Sequence, residues 1–222
     1  MSDAQHLECV ERATAEPITA SVVWLHGLGA DGHDFEPLVD ELRRTAPIGV
    51  RFVFPHAPAQ PVTVNGGMTL PAWYDILGLG EQIQEDEAGL ETARGHVEAL
   101  LRRERERGVP AERIVLAGFS QGAATALYTA AQAQPAPAGV IALSGWLPPA
   151  TPLEAAAARP PMRLAHGTQD PIVPLELGRD ARQRLEQAGF PVAWHEFPME
   201  HAVCLPEIQQ VDEWLSGLLG AG

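Results

Sequence analysis

Residues 113–127 read RIVLAGFSQGAATAL, and the way that run divides decides the fold. Its apolar, β-branched half, Arg113 to Ala117, suits a strand buried on both faces, and the alanine-rich half from Gln121 suits a helix. Ser120 falls on the junction, with Gly118 two residues before it and Gly122 two after. A strand that turns straight into a helix crowds its own backbone at those two positions, so each needs a residue without a Cβ. The same G-x-S-x-G spacing holds a serine hydroxyl outward at the top of a sheet. Ser120 is therefore either a nucleophile or a small residue in a tight turn, and the rest of the chain has to choose.

Outward from that junction, strand-like apolar runs recur at 18–26 (ITASVVWLH), 50–54 (VRFVF), 139–144 (GVIALS), 162–166 (MRLAH) and 192–197 (VAWHEF). Segments with helical spacing lie between most of them, at 34–44, 87–108, 121–132 and 175–189, and another closes the chain at 206–219. Strands that are apolar throughout and alternate with helices predict an α/β fold, a mostly parallel sheet covered on both faces. Glycines at Gly108 and Gly189 mark two helix ends. The exception to the alternation is 55–84, whose length and VTVNGGMTL hairpin signal predict an excursion over the strand ends.

The 222 residues, 45% of them hydrophobic, predict a single domain over 1–222. A formal charge of −14, with no lysine and all 15 basic residues arginine, argues against nucleic acid or an anionic membrane surface as partner. No run of 18 apolar residues occurs, so stable membrane insertion is not expected, and the first twenty residues carry no secretory pattern. The expectation is a cytoplasmic protein. Cys9 and Cys204 lie far apart with no C-x-x-C pair, which predicts free thiols. His33, His56 and His195 lack metal-site spacing, and neither a catalytic metal nor a cofactor is expected.

In a parallel sheet, ligands bind beyond the carboxyl ends of the strands. Ser120 follows one such end; Asp170 follows the 162–166 run, and His201 follows the 192–197 run. The order serine, acid, histidine, with gaps of 50 and 31 residues, is that of an α/β-hydrolase. A serine hydroxyl needs an imidazole to take its proton, and the imidazole needs a carboxylate on its other nitrogen. Taken singly, Asp170 reads as a turn or cap residue and His201 as a loop histidine. Together they predict a triad. Candidate oxyanion donors are the backbone N–H groups of Gln121 and of Leu28, the latter in the glycine-rich turn WLHGLGADGHD after the first strand. His26 and His166 end strands beside glycines and are read as loop-orienting residues, and Cys204 lacks the turn a nucleophile needs.

With WLHGLGADG, PVTVNGGMTLPAWYDI, GFSQG, SGWLP, HGTQDPIVP and the sequence His201, Ala202, Val203 in hand, the chain resembles the carboxylesterase and acyl-protein thioesterase family of small α/β-hydrolases. The matching motifs run in order from about residue 20 to residue 215. The resemblance implies Ser120, Asp170 and His201 as the triad, and Leu28 and Gln121 as oxyanion donors. It also implies hydrolysis of carboxylic esters and thioesters with medium or long acyl chains, lysophospholipids in some relatives, without a cofactor. Two positions depart from the pattern: Ala123 stands where a second glycine is usual, and Glu200 where a glycine often precedes the histidine.

For the acyl group, Leu28, Leu79, Trp146 and Ile172 fall on the same sheet edge, while Trp73 and Tyr74 are expected to anchor the excursion. The primary expectation is a serine carboxylesterase acting on a small-molecule or lipid-like acyl ester. An acyl-protein thioesterase or lysophospholipase is the second, and a catalytically silent binding module is the reading from another class. A second copy of the chain, pairing over the excursion, is a candidate partner.

Overall fold

The computed structural model describes residues 7–79 and 83–220. Its elements in chain order are β1 (Cys9–Ala13), β2 (Ala20–Leu25), β3 (Val50–Pro55), β4 (Ala59–Val62), β5 (Met68–Pro71), β6 (Ile76–Leu79), β7 (Ile83–Glu85), α1 (Glu87–Glu106), β8 (Ile114–Phe119), α2 (Gln121–Ala130), β9 (Gly139–Leu143), β10 (Met162–Gly167), α3 (Leu175–Gln187), β11 (Val192–Phe197) and α4 (Leu205–Leu219). Seven strands form one sheet in the order β1-β3-β2-β8-β9-β10-β11. All neighbours are parallel except β1, which runs antiparallel to β3 at the edge.

The strands alternate their side chains between two apolar layers. Val23, Leu25, Leu116, Val140 and Leu164 pack beneath α1, α2 and α3; Val22, Trp24, Val115, Ile141 and Ala165 pack against α4 and the segment around Phe35 and Val39. Both faces are covered, which is why β2 and β10 are buried at every residue, the polar Ser21, Arg163 and His166 included. Helix α2 is likewise buried along its whole length, and its small residues Gly122, Ala123, Ala124 and Ala126 let it lie close to the sheet. Glycine ends α1 and α3 as expected, with left-handed φ of +95° at Gly108 and +84° at Gly189.

Two elements depart from the sequence reading. Strand β1 was absent from it, because CVERA is short and half polar, as an edge strand is. Residues 34–44 form only a short 3-10 helix over Glu36–Glu41, with Pro37 in its first turn. The Asp212 carboxylate on α4 accepts the N–H groups of Arg44 (2.7 Å) and Thr45 (2.8 Å), and so takes the donors that would have continued a helix. The excursion forms two hairpins, β4–β5 and β6–β7, with the first turning at Gly66 and Gly67, both at positive φ.

Candidate active site

Ser120 is the hinge between β8 and α2, with φ +54° and ψ −121°. That conformation costs a non-glycine residue about 1–3 kcal/mol, and the surrounding backbone enforces it. A Cβ on Gly118 would lie 2.3 Å from the backbone of Gly122, and one on Gly122 would lie 2.3 Å from the carbonyl oxygen of Leu25. Strand β2, the turn and α2 therefore meet in direct backbone contact. The Ser120 N–H donates to the carbonyl of Leu143 at 2.9 Å, which ties the turn to β9 as well. Ala123 fits here because Gly145 makes room; a Cβ at 145 would lie 2.5 Å from the Ala123 methyl.

Register brings the other parts to the same edge. Leu25 pairs with Gly118, Phe119 with Leu143, and Gly167 with Phe197, so the loops after β2, β8, β9, β10 and β11 leave the sheet together. In them, His201 Nε2 lies 3.0 Å from Ser120 Oγ, and His201 Nδ1 lies 2.7 Å from Asp170 Oδ2. The other Asp170 oxygen accepts the N–H groups of Ile172 (2.9 Å) and Val173 (2.8 Å). The Asp170 side chain is fully removed from water. A fixed, desolvated acceptor of this kind holds Nδ1 protonated and leaves Nε2 free to accept the serine proton. The Phe119 ring packs on the imidazole with centroids 4.8 Å apart.

Two further histidines brace the loops. His26 Nδ1 faces the carbonyl of Gly27 at 2.7 Å, and its Nε2 accepts the Ala57 N–H at 3.0 Å. His166 Nε2 donates to the carbonyl of Val173 at 2.8 Å, behind Asp170. Burial lowers the pKa of both, so they serve as neutral struts. Glu200 is exposed and makes no contact with the His201 ring nitrogens.

Among the described residues, neither the Leu28 N–H nor the Gln121 N–H has an intramolecular acceptor. The contribution of the Gln121 side chain has no signal in the sequence. Fully buried, it accepts the Trp73 N–H at 3.0 Å and donates to the carbonyl of Tyr74 at 2.7 Å, and the Trp73 indole N–H donates to the carbonyl of His26 at 2.8 Å. Trp73 and Tyr74 are buried anchors of the excursion.

A cavity of about 780 Å³ opens above Ser120 and His201. Leu28, Trp146 and Ile172 line it, and Ile172 stands 60% exposed at its mouth. The side chain of Leu79 lies outside the described residues. Ile76 and Ile83, from the same hairpin, line the wall, as do Phe119 and Val64. The sequence reading missed these four: from this hairpin it named Leu79, and the β6–β7 register shifts between Ile76 and Gly78, an irregularity that strand periodicity does not reveal.

The matched family model, described as Phospholipase/Carboxylesterase, spans residues 7–219. This chain belongs to that family. The hydrolase is 38% identical over 211 residues to acyl-protein thioesterase 1 of Neurospora crassa, covering 89% of this chain and 86% of the relative. It is 37% identical over 206 residues to acyl-protein thioesterase 1 of Yarrowia lipolytica, covering 89% and 91%. Among solved structures, Zea mays acyl-protein thioesterase 2 superposes with a TM-score of 0.80 at 29% identity, covering 97% of this chain and 100% of that one. Arabidopsis thaliana SOBER1 superposes with a TM-score of 0.85 at 28% identity, covering 90% and 99%. The family is one of α/β-hydrolases, and the sheet described above has that fold. Among the described residues no helix is long and apolar enough to cross a membrane.

Proposed function

We propose that this family member is a serine carboxylesterase that cleaves acyl esters through an acyl-serine intermediate. The observation that carries the reading is the unbroken hydrogen-bonded line from Ser120 through His201 to Asp170. His201 Nε2 takes the hydroxyl proton as Ser120 Oγ attacks the acyl carbon, and the imidazolium is steadied by Asp170. The oxyanion accepts the unpartnered N–H groups of Leu28 and Gln121, each such donor being worth about 3 kcal/mol at the transition state. As the tetrahedral intermediate collapses, His201 returns the proton to the leaving oxygen. Water then attacks the acyl-serine and gives its proton to the same nitrogen, and collapse releases the carboxylic acid and restores Ser120. The largely apolar walls of the cavity suit a medium or long acyl chain.

A second reading, acyl-protein thioesterase or lysophospholipase, is favoured by the relatives that carry the thioesterase name. Rates on an oxygen ester, a palmitoylated peptide and a lysophospholipid rank these activities. The reading as a whole is tested on p-nitrophenyl acyl esters with wild type and Ser120→Ala. Turnover and fluorophosphonate labelling in the wild type, with both lost in the variant, are the expected result. Full hydrolysis by Ser120→Ala, or a folded wild type that neither turns over nor labels, overturns it; the latter is the behaviour of a silent binding module.

A further inference from the structure

The cavity above Ser120 ends against Ile83 and Trp146, and the same two side chains line a second cavity of about 270 Å³ with Leu147, Pro149 and Leu177 and with the charged pair Asp180 and Arg184. Two side chains therefore form the partition between the cavities. They belong to separate elements: Ile83 to β7, Trp146 to the loop after β9. Among the described residues nothing in the backbone pairing joins those elements, since β7 pairs there with β6 in its own two-stranded sheet. Glu85 joins them. One of its oxygens, Oε1, accepts both the Trp146 indole N–H at 2.7 Å and the Tyr74 O–H at 2.6 Å. The period of two along a strand puts Glu85 on the same side of β7 as Ile83. Tyr74, fully buried, is in turn held to the nucleophile turn through the Gln121 amide.

Resting on the acyl-ester reading above, the geometry points to Glu85 as the positioning residue that keeps this partition closed and so sets how far an acyl chain can run from Ser120. Glu85 is half-buried, and a carboxylate oxygen partly removed from water is favoured where donors meet it, so Oε1 holds the Tyr74 and Trp146 donors together. Burial raises the pKa of Glu85, in keeping with that desolvation. An apolar residue at position 85 would still pack, but would leave the indole free to turn and the partition free to open.

Two length series test this. Calorimetric binding of saturated fatty acids, which needs no turnover, reads the partition by itself; kcat and KM on p-nitrophenyl esters from acetate to palmitate read it in catalysis. In the wild type, affinity and kcat/KM stop rising at the length that fills the first cavity. In Glu85→Ala the limit moves to longer chains, with a gain of about fourfold in affinity and kcat/KM for each further methylene buried. The change falls in KM for long esters far more than in kcat for acetate. Glu85→Gln keeps an acceptor for both donors and holds the wild-type limit. Superimposable length profiles in wild type and a folded Glu85→Ala, or a Glu85→Gln as altered as the alanine variant, overturn the proposal. Should Glu85→Ala not fold, Trp146→Phe removes the indole donor and keeps an aromatic ring, and an unmoved limit there overturns it equally. Failure of ester turnover with a length limit that still shifts in fatty-acid binding overturns the esterase reading and leaves the partition standing.

Discussion

The nucleophile turn and the excursion that faces it across the cavity are held in place differently. At Ser120 the constraint is backbone against backbone: β2, β8 and α2 meet where Gly118 and Gly122 leave no space for a methyl group. Over β4 to β7 one backbone bond, from the Gly29 N–H to the carbonyl of Pro71 at 2.8 Å, is joined by a small set of side-chain bonds, from Gln121 to Trp73 and Tyr74, from Asp75 to Thr63, and from Glu85 to Tyr74 and Trp146. Backbone contact fixes a position to fractions of an ångström, as bond-making chemistry requires. Side-chain bonds can be exchanged one at a time, which suits a wall whose shape selects substrates.

The largest test of this contrast is at the relay itself. Asp170→Asn leaves the shape and weakens only the charge and tautomer support for His201, so kcat on an acyl ester should fall by about 10⁴-fold with the unfolding temperature little changed. A drop of less than tenfold would show that the histidine works without its carboxylate. Next in size, Gly122→Ala drives a methyl into the Leu25 carbonyl and should lower stability by about 3 kcal/mol, read as a shift in the denaturant midpoint. An unshifted midpoint would mean that β2 and α2 can separate, and the contrast between the two regions would be lost. Gln121→Ala should be milder: it leaves a buried N–H and a buried carbonyl of the excursion unpaired, lowering kcat/KM about tenfold while fluorophosphonate labelling persists, because the backbone N–H is untouched. Complete loss of labelling would place the side chain in the chemistry itself.

The smallest effect on turnover is expected at a buried acid on the Ser120 side. Glu207, in the first turn of α4 beyond the His201 loop, is buried, and burial pushes its pKa up to about 8, opposed by the backbone N–H of Cys204 and by the charge of Arg163. The unfolded chain ionises this group near its ordinary value of 4.5. Below that pH the acid is neutral in both states and carries no charge penalty; as pH rises to about 8 the folded state loses stability relative to the unfolded one. Glu207→Gln should therefore raise the unfolding temperature by about 10 °C at pH 8 and leave it nearly unchanged at pH 4. Glu85, the corresponding acid of the excursion, has its acceptor filled by Tyr74 and Trp146.

Much of the sheet was legible because buried parallel strands must be apolar throughout, and RIVLAG, MRLAH and GVIALS have little else they can be. Chain order sufficed to bring Ser120, Asp170 and His201 to one edge, since every parallel strand ends there. Edge strand β1 was hidden by its polar residues, and the 34–44 helix was lost to a carboxylate 168 residues away in sequence, a partner no local pattern announces. The cavity walls were read only in part: Leu28, Trp146 and Ile172 follow strand ends or motif positions, whereas Ile76 and Ile83 depend on an irregular hairpin register.

The amino-acid order alone determined the sheet, the nucleophile turn and which three side chains could form the relay, because periodicity and glycine placement are local properties with few structural solutions. Tertiary structure alone decided the hydrogen-bond distances among Ser120, His201 and Asp170, the Gln121 and Glu85 ties and the limits of the cavity above Ser120. Those depend on side chains from segments distant in sequence meeting in a space that no single segment encodes.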